Sequence, residues 1–220
     1  MIIKRNDRIH LLKTVSELVG DILKSSDGCH DFDHTLRVVN NARILAEEEQ
    51  CTDSEKYMIE LAALLHDCAR PEEFASEGKV CHARLGAEKA EKILCELGCT
   101  DNRLIETVAD AVRCHRYRGK DRPRTKVACI LHDADKLDSI GATGIGRAFH
   151  YAGKLGARLH NTETEALNSS EYSREDTAYR EYLVKLRHIE ERMTTDSGRR
   201  HAQDRSAFMH EFFRRMNAGE

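Results

Sequence analysis

A histidine and an aspartate stand side by side at the end of an apolar run, Leu61-Ala62-Ala63-Leu64-Leu65-His66-Asp67. Adjacent residues on a helix point about 100° apart, so the two side chains do not face each other. Both can still reach one ion lying between their directions. Imidazole nitrogen and carboxylate oxygen together suit zinc, iron, manganese or nickel better than calcium or magnesium. Alone, such a pair means little, because surface or capping roles are far commoner. Two more residues bear on it. His34 opens a helix in His30-Asp31-Phe32-Asp33-His34-Thr35-Leu36-Arg37-Val38, and Asp135 lies in His132-Asp133-Ala134-Asp135-Lys136-Leu137-Asp138. Ala128 and Leu131 precede Asp135 by about a helical turn, which gives it a partly apolar face. A buried carboxylate is costly unless it is paired or bound to a cation. The structural alternative for Asp135 is a salt bridge to Lys136 or an arginine.

The elements that must carry these residues read as helices throughout. Only two prolines occur, Pro71 and Pro123, and β-branched alternation is nearly absent. A first helix is predicted from about Asp7 to Leu23, capped by Asn6. A second begins near Phe32 and turns Leu36, Val39, Ala42, Ile44 and Leu45 towards the core. A third opens on Thr52-Asp53-Ser54-Glu55, a capping-box pattern, and runs to the His66-Asp67 pair. After a loop holding Pro71 and Gly78, helices follow at about Ala83–Leu97, Asn102–His115 and Thr125–Ile140. Gly98 and Gly141 stop the first and last of these. The polar, basic segment Arg116–Arg124 reads as a loop. Further helices are expected at about Ile145–Leu159, Ser173–Met193 and Arg199–Met216, with a mobile polar stretch at Thr162–Ser170. Such spacing throughout predicts an all-α fold.

At 220 residues, one domain with one sizeable core is the favoured organisation. An apolar fraction of 40% and a charged fraction of 33% suit a compact cytoplasmic protein. No apolar run approaches the roughly 20 residues of a membrane span, and the start, MIIKRNDRIHLL, lacks a signal-peptide layout. A net charge of −3 gives no global attraction to nucleic acid or acidic membranes. The eight cysteines are scattered without a CxxC pair, so most of them are read as reduced, small core residues.

The chain resembles the HD superfamily of metal-dependent phosphohydrolases, whose signature is an early His, a His-Asp pair and a distant Asp. His34, His66-Asp67 and Asp135 match in order. It is most similar to a branch of small, single-domain bacterial HD hydrolases, some of them nucleotide pyrophosphohydrolases. That branch carries an HDxxHxxRV opening, here His30 to Val38, and a DADxLDxIGAxGIxRAF stretch, here Asp133 to Phe149. Met193-Thr194, Arg205 and Phe208-Met209 look similar too, so the resemblance covers nearly the whole chain. It implies an HD-domain helical bundle over residues 1–220, with a core at about 7–160 and a helical C-terminal extension at about 171–217. It also implies one divalent transition metal ion (manganese, iron, nickel or zinc) held by His34, His66, Asp67 and Asp135.

Phosphohydrolase chemistry suits such a site, because a metal lowers the pKa of bound water and clamps a phosphoryl oxygen. Asp67 can both ligate and orient the attacking water. Glu72 or Glu73 is a candidate acid, with an exposed loop role as the alternative. His82 and His115 have three readings, in order of preference: contact with water or phosphate, stabilisation of a helix end by His115, and a second metal. Arg37, one turn from His34, together with Lys136 and Arg147, are candidate substrate-binding cations. The run Gly141-Ala142-Thr143-Gly144-Ile145-Gly146 is no dinucleotide fingerprint, since a helix precedes it; it reads as a tight turn offering backbone N–H groups to an anion. The basic loop (Arg113, Arg116, Arg118, Lys120, Arg122, Arg124, Lys126) either steers nucleotides inward or is a solvated charge run. With Tyr117 as its lone aromatic it is a poor single-strand platform, and no stable nucleic-acid binding is expected.

The resulting expectation is cleavage of nucleoside triphosphates to monophosphate and pyrophosphate. The alternatives are a 5′-nucleotidase or phosphodiesterase of the same superfamily, an HD-fold di-iron oxygenase, and a non-catalytic nucleotide sensor.

Overall fold

The computed structural model describes residues 5–26, 28–116 and 121–220, and among these there are helices and turns but no strand. The all-α expectation holds. The chain forms two compact units, Met1–Asp135 and Lys136–Glu220.

In the first unit α1 (Arg5–Ile22) begins ahead of Asn6, which therefore lies inside the helix rather than capping it. A short 3-10 turn, Leu23–Ser25, follows. The second helix, α2 (Phe32–Glu48), is capped by the Asp31 carboxylate, which accepts from the His34 backbone N–H. At α3 (Asp53–Leu65) the capping box forms as the sequence predicts, with Thr52 and Glu55 each satisfying the other's backbone N–H. The loop expected around Pro71 contains a short helix instead, α4 (Arg70–Ala75). Pro71 sits in its first turn, where no N–H donor is needed and the fixed φ of proline fits. Then come α5 (His82–Glu96), α6 (Asn102–Cys114), capped by Asp101, and α7 (Lys126–Asp138), which ends in the second unit.

Helix α2 packs on α3, α3 on α6, α5 on α6, and α1 on α3. Val38, Ala42, Leu45, Leu61, Leu65 and Val108 are fully buried among them. Each large aliphatic side chain taken from water stabilises the fold by about 1.5–3 kcal/mol, which is what can offset the polar groups buried in the same core. Leu36 and Ile44, expected in that core, are 45% and 40% exposed. They lie off the stripe of Val38, Ala42 and Leu45 that α2 presents to the interior.

The second unit departs more from what the sequence predicts. Helix α8 (Gly141–Lys154) starts at the glycine run itself, so that run is its first turn and not a preceding loop. A Cβ at Gly144 would stand 2.2 Å from the Ser139 carbonyl oxygen, so only glycine fits there. The stretch expected to be mobile carries α9 (Glu163–Asn168), with a second capping box between Thr162 and Glu165. The single helix expected at Ser173–Met193 is divided into α10 (Ala178–Val184) and two 3-10 turns, because Lys185 leaves the helical region at φ −140°. The last helix, α11 (Asp196–Ala218), stops at Gly219 in the left-handed conformation. Tyr182 stacks on Phe213 with ring centroids 4.4 Å apart, and Tyr179 lies 5.5 Å from the same ring. Arg205 donates to the Leu137 carbonyl at 2.6 Å, satisfying one of the orphan acceptors at the end of α7.

Candidate metal centre

Three helix ends of the first unit deliver the polar cluster. His66 terminates α3, and its Nδ1 donates to the Ala63 carbonyl at 2.8 Å. A nitrogen that donates to a carbonyl leaves the other, Nε2, with the lone pair in the neutral ring. The Asp31 cap holds His34 in the first turn of α2. His34 Nε2 then lies 3.2 Å from His66 Nε2. Asp67 Oδ2 is 3.6 Å from the first and 3.5 Å from the second. Asp135, from α7, brings Oδ1 to 3.5 Å from His34 Nε2. Nearby, Asn41 Nδ2 donates to the Ala134 carbonyl at 3.1 Å and ties α2 to α7. His34, His66 and Asp67 are essentially inaccessible, while Asp135 is 14% exposed.

A second trio repeats this geometry on the other oxygen of the same carboxylate. His82, in the first turn of α5, and His115, at the end of α6, place their Nε2 atoms 3.2 Å apart. Asp67 Oδ1 is 3.6 Å from each. His115 Nδ1 donates to the Val112 carbonyl at 2.6 Å, so its Nε2 also carries the lone pair. Gly86, one turn beyond His82 on the same face, permits this approach. A Cβ there would meet Val112 Cγ1 at 3.3 Å and the His66 carbonyl at 3.5 Å.

Two members of the cluster were not anticipated from the sequence in these roles. Arg70 Nε donates to Asp67 Oδ1 at 2.9 Å, and its Nη1 donates to Glu73 Oε2 at 2.8 Å. Glu73 Oε2 also lies 2.8 Å from His82 Nδ1, near enough for an ion pair though off-line for a hydrogen bond. The signal was present: Arg70 is three residues past Asp67 and Glu73 three past Arg70, a helical spacing that a loop at Pro71 would not give.

Charge follows this network. Burial pushes the Asp67 carboxyl up, but Arg70, His66, His115 and His82 outweigh it and hold the group well below the usual carboxylate range. Burial also opposes ionisation of Glu73, yet His82, Arg70 and Arg116 bring it down to about 2. For His115, burial dominates; with His82 and His66 adding to it against the pull of Asp67, the imidazole is lowered to about 4. His115 is thus uncharged at neutral pH, which removes support from roles that need an imidazolium, such as stabilising the end of α6.

The other singled-out residues are less central. Glu72 pairs with Lys89 at 2.6 Å, and its side chain is 43% exposed. Lys89 also donates to the Cys68 carbonyl at 2.7 Å, bracing the chain just past the pair. Arg37 is partly exposed, one turn after His34. Lys136 and Arg147 belong to the second unit; Lys136 is buried, and Arg147 donates to the Asp138 carboxylate at 2.8 Å. Arg116 donates to Cys81 Sγ at 3.4 Å and stands 3.7 Å from Glu73. The expectations for Tyr117, Arg118, Gly119 and Lys120 fall outside the described residues.

The donor set fits a metal ion. Asp67 Oδ2 is buried without a hydrogen-bond partner, an arrangement that costs several kcal/mol unless a cation faces it. Two imidazole nitrogens each about 2.1 Å from a zinc-sized ion and roughly 100° apart around it stand about 3.2 Å apart. That is the separation of each histidine pair here. Among the described residues, His34-His66-Asp67 and Asp67-His82-His115 are the groups able to hold an ion, and neither includes a sulfur.

Comparison with known proteins bears on the family and the fold. The family model of the HD domain matches residues 31–140. The Bacillus subtilis protein YpgQ is 29% identical over 208 residues, 90% of this chain and 88% of its own. Its crystal structure in complex with ADP superposes with a TM-score of 0.72 at 25% identity, covering 97% of both chains. A predicted HD superfamily hydrolase from an uncultured Thermotogales bacterium superposes with a TM-score of 0.65 at 30% identity, covering 94% of this chain and 91% of the other.

Proposed function

This chain belongs to the HD-domain family, and we propose that within it the protein is a metal-dependent phosphohydrolase that cleaves nucleoside triphosphates to monophosphate and pyrophosphate. The observation that carries the reading is the Asp67 carboxylate. It is buried and ionised, and its unpartnered Oδ2 faces the lone-pair nitrogen of His66 and the ring of His34. His34, His66, Asp67 and Asp135 would hold the ion, and manganese, iron, nickel and zinc all suit such nitrogen and oxygen donors. When bound, the metal activates water for attack and offsets charge on a phosphoryl oxygen.

The residues of the chain do the rest. Asp67 stays a carboxylate at neutral pH, so Oδ2 can accept a hydrogen bond from the attacking water and orient it. His115 is an uncharged base near Oδ1 and can accept a proton at Nε2. Arg37, one turn from His34, is the cation of the first unit that we assign to the polyphosphate. A nucleotide substrate draws support from the complex of YpgQ with ADP. Among the described residues no helix is long and apolar enough to cross a membrane. The cysteines form no disulfide among the described residues, and a reducing cytoplasm is the location we propose.

The second histidine trio favours one other reading, a two-metal site of the kind a di-iron oxygenase needs. Phosphorus NMR of the purified protein with manganese and each nucleoside triphosphate tests the choice. We expect pyrophosphate and the nucleoside monophosphate in equal amounts. Orthophosphate from a monophosphate, with triphosphates untouched, would overturn the choice of bond. No phosphate release, with two irons per chain and oxygen consumption, would overturn hydrolysis altogether.

A further inference from the structure

The two histidine trios share Asp67 and are close to identical in spacing, yet the two oxygens of that carboxylate are engaged differently. Oδ2, which faces His34 and His66, has no hydrogen-bond partner, whereas Oδ1, which faces His82 and His115, accepts from Arg70 at 2.9 Å. Arg70 is itself fixed on its other side by Glu73, 2.8 Å from Nη1, and Glu73 lies equally close to His82 Nδ1. A guanidinium is always charged and holds a planar fork against carboxylates. It is therefore a permanent positive charge placed on the oxygen that a second ion would have to share.

We propose that Arg70 sets the metal count of this site: its guanidinium stands in for a second cation on Asp67 Oδ1, and its removal opens the Asp67-His82-His115 trio to a second ion. The proposal rests on the reading that the first trio, with Asp135, binds one metal. In physical terms, Arg70 takes one lone-pair direction of Oδ1 and sets a fixed positive charge against any cation approaching that oxygen. Arg70 lies 2.9 Å from Asp67 Oδ1 and 2.8 Å from Glu73 Oε2, so one guanidinium faces two carboxylates beside the second trio. Removing the guanidinium takes that charge from Oδ1 and leaves a carboxylate oxygen 3.6 Å from the Nε2 atoms of both His82 and His115, a donor set that suits a divalent cation.

The experiment uses manganese alone as the probe. Wild-type protein, Arg70→Gln, Arg70→Met and the double variant Arg70→Gln/His115→Ala are stripped with chelator, reloaded with excess manganese and desalted. Metal per chain is measured by plasma mass spectrometry. Electron paramagnetic resonance at low temperature separates an isolated ion from an exchange-coupled pair. We expect one ion in the wild type, two coupled ions in both single variants, and a return to one in the double variant. Two replacements of different polarity are used so that one misfolded protein leaves the other to report. One ion in the wild type and in every folded Arg70 variant would overturn the proposal alone. Two ions in the wild type would also overturn it, since Arg70 would then exclude nothing. No ion in the wild type would overturn the metal reading of the first trio, and this proposal with it.

Discussion

Acidifying the metal-free protein tests the charge state of the cluster most directly. His115 is held at about 4 inside the fold, against 6.5 for the ordinary group. Between those values the unfolded chain binds a proton that the folded protein does not, so acid favours unfolding. The contribution is complete above about pH 6.5 and is lost as the pH falls towards 4. The slope is about 1.4 kcal/mol per pH unit for one proton, or about 3 kcal/mol over the whole window, as an order of magnitude. Asp67 and Glu73 act in the same direction only at lower pH, because their folded values are also depressed. Urea denaturation in chelator at pH 7.5, 6.5, 5.5 and 4.5 therefore isolates the histidine. His115→Asn, which cannot titrate, is the reference, and it cancels the contribution of the histidines outside the cluster. The stability difference between wild type and variant should shrink by about 1.4 kcal/mol per unit below pH 6.5. Parallel curves would refute the reasoning, and an imidazolium that contacts phosphate would again be the better role for His115.

Two further outcomes are expected. His66→Ala and Asp135→Ala should each lose bound metal and hydrolysis together, read by metal content and phosphorus NMR; stoichiometric metal in both would remove them from the ligand set. Gly144→Ala should destabilise by more than about 2 kcal/mol, because its Cβ would sit 2.2 Å from a backbone oxygen that cannot swing aside; an unchanged urea midpoint would refute this packing constraint.

The parts of the fold legible in the sequence were those set by short-range chemistry. Thr52 and Glu55 announce the start of α3 because the cap is made within four residues. The apolar run after them fixes where His66 and Asp67 emerge. The long motifs identify the family and hence the helical bundle. What could not be read lies where a local preference is overruled by a neighbour distant in sequence. Pro71 and the polar residues near it suggest a loop, but a proline in the first turn costs a helix nothing, and α4 forms. A loop there conceals Arg70 and Glu73, whose roles depend on their spacing along that turn. It also leaves Glu72 and Glu73 indistinguishable, although one reaches Lys89 and the other His82. The glycine run suggested a turn, yet Gly144 is required by the Ser139 carbonyl that α8 passes.

Three cysteines are immediate chain neighbours of cluster residues: Cys68 follows Asp67, Cys81 precedes His82 and Cys114 precedes His115. Burial raises the Cys68 thiol to about 12 and the Cys114 thiol to about 11, so neither supplies a thiolate at cellular pH. Cys81 is the exception: although burial opposes it, the backbone N–H of Arg84 and the Arg116 side chain lower its pKa, and Arg116 already occupies its sulfur. A thiolate in the cluster would favour soft ions, copper(I) above all. With two of these thiols protonated and the third engaged by Arg116, the donors that the cluster offers an ion are nitrogen and oxygen, and a thiolate-seeking ion such as copper(I) finds no preferred ligand there.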